Sequence, residues 1–150
     1  MFLTTFKKKG SLPPGGGEFP KMASDIHARK KLVLIVDEAE SIRFILSEIL
    51  RPFGYEIDAA ENGEAALQKI ESKNYDLIIT NYTIPKINGL ELTRRINKID
   101  SSLPILAFAT DGLSDEFLES GALACLKNPF SIPEIQILSH TILSDACSTF

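Results

Sequence analysis

From Leu32 onward, short apolar runs alternate with amphipathic segments along the chain. The apolar runs are four or five residues long, and three of them are nearly continuous aliphatic stretches, as is typical of strands buried on both faces. We therefore predict strands at Leu32–Val36, Ile57–Ala60, Leu77–Thr80, Ile105–Ala109 and Ala124–Lys127. Strands that alternate with helical patterns indicate a parallel sheet with helices on both faces.

Apolar positions three and four residues apart predict a helix after each strand. The predicted helices are Ser41–Leu50, the segment around Ala65–Ile70, Gly89–Ile99, Ser114–Ser120 and Pro133–Leu143. Right-handed crossovers then give an α/β fold: a flavodoxin-like, doubly wound (βα)5 unit with a five-stranded parallel sheet in the order 2-1-3-4-5. In such a sheet the ligand crevice lies beyond the carboxyl ends of strands 1 and 3.

The N-terminal part of the chain lacks this pattern. Residues 10–21, GSLPPGGGEFPK, combine proline and glycine with almost no apolar periodicity, so nothing offsets the entropy cost of ordering their backbone. We predict a flexible tail or a leader over residues 1–30, with Met22 as an alternative start. Residues 31–150 are predicted to form a single folded domain.

The composition is that of a globular protein, with 44% hydrophobic and 24% charged residues. The net charge of −4 is uneven, because residues 1–31 hold seven Lys and Arg against Glu18 and Asp25 and leave −9 on the remainder. An acidic domain is a poor partner for nucleic acid. Cys125 and Cys147 cannot form a disulfide framework, and no apolar run approaches the ~20 residues of a membrane helix. We expect a cytoplasmic protein that binds neither nucleic acid nor membrane.

Polar residues follow the first and third predicted strands, where the crevice is expected. Asp37 and Glu38 come directly after the first strand, and Asn81 follows the third. Around them, the stretches VLIVDEAESIR, GYEIDAAENGEAAL, YDLIITNYTIPKINGLEL and GALACLKNPF occur in this order. Together they resemble the receiver domain of bacterial two-component response regulators, of the chemotaxis-regulator type, over about residues 31–144. The resemblance implies that residues 31–150 form a receiver domain of the phosphorelay class.

In the receiver family, two acidic residues after strand 1 hold a divalent ion, and an aspartate after strand 3 attacks phosphorus. The matching residues here are the acidic pair Asp37 and Glu38 and, at the phosphoacceptor position, Asn81. A carboxylate attacks through a charged oxygen, whereas an amide delocalises its nitrogen lone pair and forms no comparable acyl phosphate. The phosphoacceptor position is therefore predicted to be inactive. Asp76 is no substitute, because it lies at the other end of the strand.

Three further positions depart from the family. Ala109 replaces the Ser or Thr that binds the phosphoryl group, Asn128 replaces the lysine, and Cys125 replaces the switch aromatic. Thr110 and Lys127 each lie one residue away, and a strand bulge would be needed to bring either into the missing role. Loss of an aspartate together with a lysine leaves the local formal charge unchanged. That balance favours natural degeneration over a single engineered Asp→Asn change.

The resemblance also implies a metal shell, here formed by Asp37, Glu38, the side chain of Asn81 and the backbone carbonyl of Thr83. Divalent cations prefer more negative charge than this set carries. We therefore expect no required cofactor and at most weak Mg²⁺ binding.

The two histidines and the two Asn-Gly pairs are interpreted as residues without a functional role. His27 and His140 have no metal or catalytic partner at useful spacing and are interpreted as surface residues. Asn62-Gly63 and Asn88-Gly89 are interpreted as turn dipeptides.

These departures favour a pseudo-receiver, a protein-interaction module and not an enzyme, which keeps the fold without depending on phosphorylation. By analogy with the family, the partner is a histidine kinase or a downstream effector, bound through helix 4, strand 5 and helix 5. The predicted contact residues are Phe117, Leu118, Ile132, Ile135 and Gln136.

Two alternatives stay open. The first is a phosphoaspartate-accepting response regulator whose acceptor aspartate was replaced by Asn81, or in which another acid takes its place. The second is a flavodoxin-like binder of a small molecule, which ranks last because the acidic DEAES stretch after strand 1 repels anions.

Overall fold

A parallel sheet of five strands forms the centre of the molecule in a computed structural model that describes residues 5–6, 30–110 and 112–147. The strands are β1 Leu32–Val36, β2 Glu56–Ala60, β3 Leu77–Asn81, β4 Ile105–Ala109 and β5 Ala124–Lys127. They lie side by side in the order β2-β1-β3-β4-β5, which confirms the predicted doubly wound arrangement. The bounds of β1, β4 and β5 are those predicted, whereas β2 begins and β3 ends one residue outside them.

A helix follows each strand, as predicted. The helices are α1 Glu40–Leu50, α2 Gly63–Ser72, α3 Gly89–Ile99, α4 Ser114–Ser120 and α5 Ile132–Cys147, with a 3₁₀ turn at Arg51–Phe53. The last helix begins one residue earlier and ends four residues later than predicted. No helix in the described ranges is long and apolar enough to cross a membrane.

The sheet has an additional strand at its β5 edge. Thr5–Phe6 pairs with β5 in antiparallel orientation, with Thr5 opposite Cys125 and Phe6 opposite Ala124. These two residues belong to the predicted tail, and no apolar pattern in the sequence indicates a strand there. Residues 7–29, which belong to the same predicted tail and include His27, lie outside the described residues.

Two apolar layers pack on the two faces of the sheet, because successive strand residues point to opposite sides. Val33 and Ile35 join a buried cluster with residues of α1 and α5. Leu34 and Val36 join a second cluster with residues of α2, α3 and α4. Strands buried on both faces account for the continuous aliphatic runs in the sequence.

The two Asn-Gly pairs are helix N-termini rather than free turns, which corrects their interpretation as turn dipeptides. The side chain of Asn62 accepts a hydrogen bond from the backbone N–H of Ala65 at 2.8 Å, and that of Asn88 accepts one from Glu91 at 2.9 Å. Each asparagine thus satisfies a backbone donor at the start of α2 or α3. The following glycine is the first residue of the helix in both cases.

A charged network joins β2, α2 and the approach to β3. The Tyr75 hydroxyl donates a hydrogen bond to Asp58 Oδ2 at 2.6 Å, and Lys73 Nζ lies 3.1 Å from the same oxygen. Burial by itself would raise the pKa of Asp58, but hydrogen bonds from Tyr75, Lys73 and the Ala59 N–H, together with the charge of Lys69, lower it to about 2. Burial and the contact with Asp58 raise the pKa of Tyr75.

Two residues of the predicted partner surface belong to the core, which corrects that part of the prediction. Phe117 and Ile135 are both 0% exposed, each within one of the two apolar clusters, so neither contacts a partner in the folded protein. Their helices are amphipathic, and spacing alone did not show which apolar residues face the sheet. Ile132 is 41% exposed, and Leu118 and Gln136 are partly exposed.

Candidate functional site

Asp37 and Asn81 lie at the carboxyl edge of neighbouring strands. Asp37 directly follows β1 and Asn81 ends β3, where the preceding residues Val36 and Thr80 are paired. Alternation along each strand places both side chains on the sheet face that carries Val33 and Ile35, which α1 and α5 cover. The topology therefore brings together two residues that the sequence analysis assigned to one crevice.

A chain of hydrogen bonds connects three side chains at this edge. Asn128 Nδ2 donates to Asn81 Oδ1 at 3.4 Å, and Asn81 Nδ2 donates to Asp37 Oδ2 at 3.2 Å. The other carboxylate oxygen of Asp37 accepts from the backbone N–H of Ala39 at 2.9 Å. Asp37 is 4% exposed, so both oxygens of a buried carboxylate have donors from the protein itself.

The backbone around Asp37 is fixed from two sides. Its N–H donates to the carbonyl of Ala60 at the end of β2, at 3.1 Å. Its carbonyl accepts a hydrogen bond from Arg43 Nη1 of α1 at 2.7 Å. The sequence analysis did not single out Arg43, although it is a lone basic residue in the first helical segment, six positions after Asp37. Arg43 thus ties the first turns of α1 to the loop that carries Asp37.

The residues assigned to a metal shell do not fit a divalent ion in this arrangement. Both oxygens of Asp37 face hydrogen-bond donors, and the Asn81 amide presents its nitrogen, not its oxygen, to that carboxylate. Glu38 and Thr83 are exposed. Among the described residues, no group of three or more His, Cys, Asp or Glu side chains is placed to hold a metal. An ion would have to displace the existing hydrogen bonds.

The strand register argues against a bulge that would bring Lys127 or Thr110 into the missing roles. Strands β4 and β5 pair without interruption from Leu106 opposite Ala124 to Ala109 opposite Lys127. Ala109 is 2% exposed, and the side chain beside Asn81 is that of Asn128. Lys127 and Thr110 are exposed. Ala109 thus ends β4 and Asn128 directly follows β5, while the family roles assigned to these two positions stay a prediction.

Cys125, which the resemblance assigns to the switch position, carries a buried thiol. Cys125 is 6% exposed in the cluster that α2, α3 and α4 cover. Burial raises the pKa of the Cys125 thiol to about 11, with an opposing hydrogen bond involving Ser114, so the thiol stays protonated at neutral pH. An aromatic residue does lie close to the site, since Tyr82 follows Asn81 and meets the Phe117 ring edge-on with centroids 6.2 Å apart. The position of Tyr82 directly after Asn81 in the sequence is the signal from which this aromatic residue could have been identified.

Residues 33–138 match the family described as the response regulator receiver domain. The chain therefore belongs to the response regulator receiver domain family, and it is a receiver domain of two-component phosphorelay signalling.

Individual relatives agree with this assignment. Sporulation initiation phosphotransferase F of Bacillus subtilis (strain 168) is 34% identical over 107 residues, covering 69% of this chain and 86% of that protein. The sensor protein EvgS of Escherichia coli O157:H7 is 35% identical over 106 residues, covering 69% of this chain but only 9% of that protein. The structure of the chemotaxis response regulator CheY4 of Vibrio cholerae has a TM-score of 0.71 at 28% identity, covering 77% of this chain and 100% of that one.

Proposed function

We propose that this receiver domain acts as a phosphorylation-independent protein-interaction module. One observation carries the proposal: the hydrogen-bond chain from Asn128 through Asn81 to Asp37. Two members of this hydrogen-bond chain, Asn81 and Asn128, are neutral amides at the positions that the resemblance assigns to the phosphoacceptor and the lysine. The three side chains therefore satisfy one another's hydrogen-bonding groups.

The chemistry of these groups supports the proposal. An amide is a poor nucleophile toward phosphorus, because its nitrogen lone pair is delocalised and it carries no negative charge. Asp37 is buried and bound by two donors, which leaves it poorly placed to attack. Asp76 accepts a hydrogen bond from the Leu32 N–H at 2.8 Å, at the amino end of β1 and far from Asn81. We infer that no group at this edge accepts a phosphoryl group.

We infer that the partner is a histidine kinase or a downstream effector that binds the face formed by α4, β5 and α5. Ile132 and Ile137 on α5 are 41% and 54% exposed, and Leu118 on α4 is partly exposed. Exposed apolar side chains also occur outside this face, since Phe44 of α1 is 63% exposed, so the choice of face rests on the analogy with the family. Gln136 is held by its hydrogen bond to the Ile49 carbonyl at 3.1 Å, so it is less available than Leu118 and Ile132 among the predicted contact residues that are not buried.

The second candidate is a phosphoaccepting regulator in which one substitution produced Asn81. The retained acidic pair, Asp37 and Glu38, is the observation that favours it, because these residues serve a phosphoryl site in the family. The first candidate is preferred because Asn128 has also lost the charge of the family's lysine, and Ala109 has lost a hydroxyl.

The test compares the parent chain with two repaired variants in a small phosphodonor and Mg²⁺. We expect no mass gain in the parent, slow phosphorylation of Asn81→Asp, and phosphorylation at least about tenfold faster in Asn81→Asp/Ala109→Thr/Asn128→Lys. The restored hydroxyl and ammonium stabilise charge on the transferring group, and such donors are each worth several kcal/mol in buried sites. Intact mass and peptide mapping follow the reaction, and hydroxylamine sensitivity identifies an acyl phosphate.

Two results would contradict the proposal. Hydroxylamine-sensitive phosphorylation of the parent near Asn81 would show that another acid takes over. A single Asn81→Asp variant as fast as the triple variant would show that only the nucleophile is missing, which is the second candidate. An intact active receiver domain serves as the positive control for the donor.

A further inference from the structure

The outer edge of β5 lies within the proposed partner face, and a segment of the chain itself already pairs with it. Strand β5 pairs with β4 along one side from Ala124 to Lys127. Its other side faces the end of the sheet, and there it pairs with Thr5–Phe6. The edge of a sheet presents backbone N–H and C=O groups that accept a further strand from any chain with a suitable segment.

The segment that pairs with this edge belongs to the same chain, and residues 7–29 connect it to the folded domain. The Thr5–Phe6 strand and β1 are four strand spacings apart in the sheet, or about 19 Å. The connecting residues 7–29 would reach about 75 Å if fully extended, so the connection allows pairing within one molecule. A tether of this kind gives an effective concentration in the millimolar range, which favours the segment over a free competitor of equal affinity.

Charge also favours this occupant. Residues 1–31 hold seven Lys and Arg against Glu18 and Asp25, and Lys7, Lys8 and Lys9 directly follow the paired residues. The body of the protein is acidic, and the α4 residues beside β5 include the exposed Asp115, Glu116 and Glu119. Opposite charges on a segment and its docking surface increase the encounter rate and suppress other partners.

We propose that the outer edge of β5 is a binding site for an extended basic peptide segment, and that the chain's own N-terminus is its occupant through Thr5–Phe6. A two-residue pairing provides few backbone hydrogen bonds, each worth about 1 kcal/mol net, so the segment is displaceable. On the α4–β5–α5 face, the segment competes with a protein partner; this last step rests on the proposed function.

The test uses the full chain and a synthetic peptide with the sequence of residues 1–9. The variant Thr5→Pro/Phe6→Pro removes both backbone donors of the short strand, because proline has no N–H. The matched control Ser11→Pro/Leu12→Pro adds the same two residues outside the paired segment. Backbone amide shifts of Ala124 and Cys125 are followed while the peptide is titrated to millimolar concentration.

We expect the peptide to shift these amides in Thr5→Pro/Phe6→Pro, with an apparent affinity about tenfold weaker for the parent and for the control, in which the tethered segment competes. Equal affinity for all three proteins would place the peptide elsewhere and overturn the proposal, as would no shift in the proline variant. A second peptide with prolines at positions 5 and 6 should not bind, and binding by it would also overturn the proposal. Shifts of β1–β4 amides report whether each variant is folded. The titration does not involve Asn81, so it fails or succeeds independently of the proposed function.

Discussion

Asn81 presents an amide at a position where the resemblance to the family predicts a carboxylate. Asparagine has almost the same shape as aspartate, but it both donates and accepts hydrogen bonds and carries no charge. Asn81 uses both properties, since its nitrogen binds Asp37 and its oxygen accepts from Asn128. A second carboxylate at this position would instead repel Asp37 unless a cation lay between them. The neutral residue removes the need for that cation.

Magnesium binding should therefore depend on residue 81. We expect the parent to bind Mg²⁺ only at multimillimolar concentration, and Asn81→Asp to bind it at least about tenfold more tightly, because Mg²⁺ favours anionic oxygen ligands. Calorimetric titration measures both affinities. The double variant Asp37→Asn/Asn81→Asp, with one carboxylate removed again, is the control and should lose the gain. Submillimolar affinity in the parent that disappears in Asp37→Ala would show that the present site already works as a cation site.

At the scale of elements, the start of α3 is coupled directly to the site. Gly89 donates its N–H to the Tyr82 carbonyl at 2.8 Å, and a Cβ on Gly89 would overlap the backbone carbonyl oxygen of Asn81. The close approach of helix and strand end thus requires a residue without a side chain. Through this contact, α3 determines where the backbone of Asn81 lies.

Replacement of Gly89 by alanine should disturb both stability and the site. We expect Gly89→Ala to lower the free energy of unfolding by about 1–3 kcal/mol, because the added methyl group displaces backbone. Urea unfolding measures the loss, and the amide shifts of Asn81 and Tyr82 report the displacement.

The matched control is Asn62→Ala, which removes a helix cap at the start of α2. It should cost about 1 kcal/mol without moving the amide of Asn81. Equal amide shifts of Asn81 in the two variants would contradict a direct coupling through Gly89.

At the scale of the whole molecule, Asp58 makes a contribution to stability that depends on the charge of its carboxylate. Asp58 connects β2 to Lys69 and Lys73 of the α2 region and to Tyr75, and its pKa of about 2 lies below the ordinary value of 3.8. A lowered pKa means that the folded state favours the charged form. This contribution is present above pH 4 and is lost as the pH falls toward 2.

We expect Asp58→Asn to lower the free energy of unfolding by on the order of 1–2 kcal/mol at pH 6, since the side chains of Lys69 and Lys73 are 38% and 54% exposed and their charges are partly screened. The difference from the parent should shrink as the pH falls from 4 toward 2, because the parent carboxylate then becomes protonated as well. Urea unfolding across this range provides the measurement. Glu71→Gln removes an exposed carboxylate of α2 and is the control. A difference that stayed constant down to pH 2 would contradict the assignment to the charge of Asp58.

Local pattern was sufficient for most of the architecture. The period of the apolar residues identified five strands and five helices, because residues buried on a strand or helix recur with the period of that element. The strand order followed from the handedness of the crossovers, which neighbouring segments determine. The assignment of Asn81 to the family's phosphoacceptor position rests on the sequence and the resemblance alone, and it stays a prediction.

Tertiary structure decided the contacts between residues that are far apart in the sequence. Asp37 and Asn81 are 44 residues apart, and Asn81 and Asn128 are 47 apart, so their hydrogen bonds have no local signature. The sheet and its helices likewise determined the burial of Phe117 and Ile135, because an amphipathic helix shows an apolar face but not which element covers it. Strand pairing by Thr5–Phe6 depends on the backbone of β5, and a two-residue strand is too short to have a period. The sequence by itself therefore determined the elements and the chemistry of each residue, while the fold decided which side chains meet.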